Sequence, residues 1–67
     1  MKYQGDDRKQ ADFHYQAGTE YERYNQWIDA IVEYKAALSI RPDYAEAQTA
    51  LAGAREQARK QGSDVGG

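Results

Sequence analysis

The stretch Trp27-Ile28-Asp29-Ala30-Ile31-Val32-Glu33-Tyr34-Lys35-Ala36-Ala37-Leu38-Ser39-Ile40-Arg41-Pro42-Asp43-Tyr44 decides the fold. At about 100° per residue, Trp27, Ala30, Ile31, Tyr34, Ala37 and Leu38 share one continuous face, which predicts a helix over 27–39. Ala30 and Ala37 carry only a methyl group and allow another backbone to come close. Pro42 cannot continue that helix and pushes Arg41 out of the helical region, so 40–43 reads as a connector. Asp43, with Glu46 three residues on, has the spacing of a capping box in which Asp replaces Ser or Thr. It predicts a third helix reaching about Lys60, with a thin stripe of Tyr44, Ala47, Leu51, Ala54 and Ala58. Upstream, a first helix is expected over 7–24, capped by Asp6 or Asp7. Its Phe13, His14, Ala17, Tyr21 and Tyr24 fall in one wide stripe, and Asn25 tolerates the left-handed conformation that ends many helices. The expected organisation is therefore all-α. A helical unit over 7–60 lies between flexible tails, 1–6 and 61–67.

The chain has 67 residues, 9 Lys plus Arg, 11 Asp plus Glu and no Cys, which bounds it to one domain. Much of its 40% apolar fraction is alanine, so burial and chain-ordering entropy come out nearly equal for a unit of this size. Without cysteine there is no disulfide framework and no thiolate zinc site. No apolar run approaches the ~20 residues of a bilayer span, nor does the N-terminus carry the apolar run of a signal peptide, so a cytoplasmic chain is the default expectation. The net charge of -2 argues against a nucleic-acid partner, and Arg55, Arg59 and Lys60 are read as favouring a helix C-terminus.

His14, Ala17-Gly18, Tyr21, Ala30, Tyr34, Ala37 and Pro42 stand at the spacing of a tetratricopeptide repeat. The segment 11–44 resembles one such repeat. Gly18, Tyr21, Ala30, Ala37 and Pro42 match the pattern directly, Tyr34 replaces Phe, and Asn25 stands at the turn. His14 and Ala17 depart from it, where Trp and Leu are usual. Restarting at Ala45 puts Gln48, Leu51, Ala52 and Arg55 in the corresponding slots with no second-helix partner following, so 44–60 resembles a solvating cap helix. The resemblance implies a helix-turn-helix hairpin plus cap, serving as a non-catalytic scaffold or adaptor for a partner protein or peptide. It also implies a concave groove, here Asp12, Tyr15, Thr19 and Glu22, continued by Glu46 and Thr49. The Lys and Asn pattern of the carboxylate clamp is missing, since Tyr15 and Thr19 stand in its slots.

Two apolar pairs are left open: Phe13 with Tyr24 at the edge of the first helix's stripe, on the side where a preceding repeat would pack, and Ile28 with Val32 on the outer side of the second. They suggest an association surface. The alternative function is accordingly structural self-association, as a homo-oligomer or beside neighbouring repeats of a longer array. Catalysis is the remote reading. The only His, His14, lies within an apolar stripe where a hydrogen-bonded packing role is expected, and there is no phosphate loop or metal-ligand motif. Glu33 is expected to face solvent. No cofactor and no metal are expected.

Overall fold

Three helices account for the described chain: α1 (Gln4–Arg23), α2 (Trp27–Ile40) and α3 (Ala45–Gly66). No strand occurs among the described residues. The computed structural model describes the backbone of 4–66 and the side chains of 8–62. α1 and α2 form a hairpin, and α3 packs on the other flank of α2. The expected all-α hairpin is the observed fold.

The α1–α2 turn is made by Asn25, whose φ of 60° is left-handed. The Gln26 amide donates to the Tyr21 carbonyl at 3.0 Å and the Asn25 amide to Glu22 at 2.9 Å, the paired bonds that close a helix around a left-handed residue. α2 ends where the residue before Pro42 must leave the helical region: Arg41 has φ −128° and ψ 90°. The Tyr44 amide then bonds back to Arg41 at 3.1 Å, turning the chain over Pro42 and Asp43.

Two details of the connector differ from the sequence expectation. α3 begins at Ala45, and the Gln48 amide donates to the Tyr44 carbonyl at 3.0 Å, so Tyr44 holds the capping position. Asp43 sits one residue too early and the capping box does not form. Instead the Gln48 side-chain amide donates to the Pro42 carbonyl at 2.7 Å. The helices also run beyond 7–24 and 44–60 at the chain ends, with helical backbone over 4–6 and 61–66. A nucleated helix gains one hydrogen bond per residue fixed, so its ladder continues past the last packed turn. The result is elongated, 49 × 19 × 15 Å, with a radius of gyration of 13.0 Å against about 11 Å for a compact chain of this length.

The core has two connected parts. Ala11, Ala37, Tyr44 and Ala47 form one, with Leu38 and Ile40 against it. Ala30, Tyr34 and Ala54 form the other, flanked by Tyr21, Trp27, Ile31, Ala50 and Leu51. The apolar faces expected of α2 and α3 are thus the packed ones. α1 is rotated relative to expectation. Its covered line is Ala11, Tyr15 and Gly18, with His14 and Tyr21 at the margin, while Phe13 and Tyr24 point outward. The cause is Tyr34, the largest fully buried side chain. Its ring lies on Gly18, where a Cβ would stand 2.7 Å from Tyr34 Cδ1 and 2.8 Å from Cζ. Only a residue without a side chain fits beneath that ring.

Replacing Gly18 by Ala should lower stability despite the better helix former. Alanine returns up to about 1 kcal/mol of propensity, but forcing the ring aside costs about 1–3 kcal/mol. Urea denaturation should give a lower midpoint for Gly18→Ala. A higher midpoint would mean that Tyr34 moves aside at no cost.

Candidate functional site

Tyr15 occupies the inner side of α1 between two other tyrosines, its ring centroid 5.8 Å from that of Tyr34 and 5.3 Å from that of Tyr44. Tilted rings at such separations attract beyond their buried area. Tyr15 touches both parts of the core and is half-buried. Tyr15 is therefore a core contact as well as a residue of the expected groove. Rotating α1 to seat Tyr34 on Gly18 carries Tyr15 inward onto Tyr44.

The remaining surface of Tyr15 opens into a hollow of about 470 Å³, completed by Ala45, Glu46, Thr49 and Ala50 of α3. α3 supplies the opposite wall because its first turns lie next to Tyr15. The short side chains at Ala45 and Ala50 leave the space open. Of the expected groove residues, Tyr15, Glu46 and Thr49 meet here. Ala45 and Ala50 were not singled out by sequence reasoning, since alanines beside a stripe carry no chemical signal of their own.

Asp12 is not part of the lining; it pairs with the connector. The Tyr44 hydroxyl donates to Asp12 Oδ1 at 2.7 Å, Arg41 Nη1 lies 3.9 Å from the same oxygen, and the Arg41 guanidinium carbon stands 4.4 Å from the Tyr44 ring centroid. Asp12 is thus engaged by its own chain. Burial, and then the hydrogen bond to the Asp12 carboxylate, push the Tyr44 phenol up to about 12. Arg41 and Tyr44 were not expected at the site, although an arginine three residues before an aromatic is compatible with such stacking.

Thr19 and Glu22 share the side of α1 but do not line the hollow. The Thr19 hydroxyl donates to the Gln16 carbonyl at 2.7 Å, a local bond within the helix. Glu22 is half-buried beside Tyr34. The Tyr34 hydroxyl is buried, with no partner in hydrogen-bonding geometry among the described residues. Desolvation first, and then the neighbouring Glu22 carboxylate, raise its pKa above that of an ordinary phenol.

On the other side of α1, His14 Nδ1 lies 2.8 Å from Glu33 Oε1. The histidine is hydrogen-bonded but belongs to neither part of the core, and Glu33 is half-buried and paired instead of facing solvent. Phe13, Tyr24, Ile28 and Val32 are 68, 69, 66 and 58% exposed. All four expected association residues are therefore at the surface. A second hollow, about 430 Å³, is lined by Ala17, Glu20, Tyr21, Tyr24 and Gln26.

Among the described residues no three His, Cys, Asp or Glu side chains gather as a metal site, and no helix is long and apolar enough to cross a membrane. No family model, curated protein or solved structure matches the chain.

Two predictions follow from the tyrosines. The Tyr44 phenol holds its proton to about 12 when folded, against 10.0 when free. The unfolded chain then loses the proton first, so this contribution is whole below pH 10 and is lost as pH rises from 10 through 12. The melting temperature should fall across that window, and less steeply for Tyr44→Phe; parallel slopes would exclude the linkage. For Tyr34, removing an unpartnered buried hydroxyl while keeping the ring should be neutral or stabilising by up to about 1 kcal/mol. A clear loss of stability in Tyr34→Phe would show that the hydroxyl makes a productive bond to Glu22.

Proposed function

We propose that this chain is a non-catalytic protein interaction module, a tetratricopeptide-like hairpin with a solvating third helix, which takes an extended peptide segment of a partner along the inner side of α1 and α3. The observation that carries the reading is the hollow between Tyr15 and the start of α3. It combines an aromatic wall, two alanine methyls, a hydroxyl and a carboxylate. Such a site suits an apolar side chain with a basic neighbour: the ring and methyls take the apolar group, and Glu46 faces the cation. Asp12, already satisfied by Tyr44 and Arg41, adds little to the pairing.

Because Tyr15 also holds the core, Tyr15→Ala is a poor probe of binding. Truncating a half-buried aromatic that bridges two clusters is expected to cost about 2–3 kcal/mol. Glu46 and Thr49 are exposed and suit the test. A displayed library of random peptides selected on the wild-type chain should yield sequences pairing an apolar residue with Lys or Arg. Those peptides should bind at least about tenfold more weakly to Glu46→Lys, and Thr49→Trp should block them while the melting temperature stays close to the parent's. A library that returns no such sequences, or peptides bound equally well by both variants, would rule out this groove.

A further inference from the structure

The hollow beside Tyr15 holds a carboxylate to which the chain supplies no cation. Asp12, Glu20, Glu33 and Glu56 stand within ion-pair distance of Arg41, Arg23, His14 and Arg59 respectively. Glu46 enters no such pair among the described residues. Its helical neighbours Thr49 and Ala50 carry no charge, and no residue lining the hollow is basic. Glu46 lies in the first turn of α3, where the helix dipole favours a carboxylate without giving it a partner.

The same pairing of a tyrosine with a carboxylate occurs a second time in the molecule, and there it is filled. The Arg41 guanidinium carbon lies 4.4 Å from the Tyr44 ring centroid, and its Nη1 is 3.9 Å from Asp12 Oδ1. Tyr15 is the ring beside Tyr44, with centroids 5.3 Å apart. One tyrosine and carboxylate therefore hold an arginine, while Tyr15 and Glu46 next to them stand open. Thr49 and Tyr15 each add a hydroxyl that can accept a hydrogen bond. A carboxylate and two hydroxyls beside an aromatic ring suit a planar cation with several donors. An ammonium is a more strongly hydrated point charge and has no face to lay on a ring.

We infer that the basic residue received by this hollow is an arginine of the partner peptide, with its guanidinium against Tyr15 and donating to Glu46, and that lysine is a poor substitute. The inference rests on the peptide reading proposed above and adds which cation that peptide carries. The arginine stem and the apolar neighbour then cover the methyls of Ala45 and Ala50, as long basic side chains do when their heads reach a polar partner.

The test uses the full chain, isotope-labelled for amide NMR, and acetylated, amidated probe peptides. The probes are Ala-Leu-Arg-Ala and Ala-Arg-Leu-Ala, each with its lysine and citrulline counterparts. Titration should shift the amides of Tyr15, Glu46 and Thr49, and the better arginine probe should bind about tenfold more tightly than its lysine counterpart. Citrulline keeps the planar shape without the charge. It should bind about tenfold more weakly than arginine to the parent and about equally to Glu46→Gln, so that the two changes are coupled. A merely structural role for Glu46 would weaken all the probes alike and would overturn the assignment. Lysine bound as well as arginine, with the same shifts, would overturn the choice of cation and leave the peptide reading standing. No shift at the hollow with any probe would overturn both. Shifts there on concentrating the chain alone would mean that a second copy fills the hollow, and would overturn a partner peptide as its occupant.

Discussion

The contact on which the structure turns is the Tyr34 ring against the bare backbone of Gly18. It sets how near α1 comes to α2 and the rotation of α1 about its own axis. With the largest fully buried side chain seated at a glycine of α1, Ala11 and Ala37 meet a few turns along the hairpin. That rotation also delivers Tyr15 to Tyr44, and so creates one wall of the inner hollow. The same rotation turns Phe13 and Tyr24 outward. One steric complementarity thus links the core, the groove and the open edge.

Much of this was legible in the sequence. α2 and α3 have apolar residues at helical spacing, and the packed residues are the ones the stripes name, although α2 also carries Ile28 and Val32 on its outer side. Asn25 and Pro42 mark both connections, for reasons that belong to those residues alone. The rotation of α1 was not legible. That helix carries aromatic residues around much of its circumference, and periodicity weights Phe13 and Tyr15 alike. What distinguishes them is which side of α1 faces Tyr34, a pairing between residues sixteen positions apart. Asp43 shows a different limit: its spacing to Glu46 fits a cap, but the helix starts one residue later because Tyr44 closes the turn on Arg41.

Of the site, Tyr15, Glu46 and Thr49 come together as the sequence suggested, while Asp12, Thr19 and Glu22 are occupied or set aside. The difference is again one of partners. A carboxylate on a helix face reads the same whether it meets water, an arginine or a phenol, and Asp12 meets the last two. Arg41 and Tyr44 could be placed near Asp12 only once the connector was known to fold back over α1. Open hollows such as that beside Tyr15 depend on what is missing, here the side chains that Ala45 and Ala50 lack.

The packing of each helix mainly on its neighbour in sequence bears on how the chain reaches this state. Loop closure across the Asn25 and Pro42 turns spans few residues, so little chain entropy is lost before the first interhelical contacts form. Such local topologies fold in about microseconds to milliseconds. The hairpin can close before α3 is in place, and α3 then docks on α2 that is already held. A nascent chain emerging N-terminus first would meet its partners in that same order, with the contacts of Tyr44 to Asp12 and Tyr15 made last.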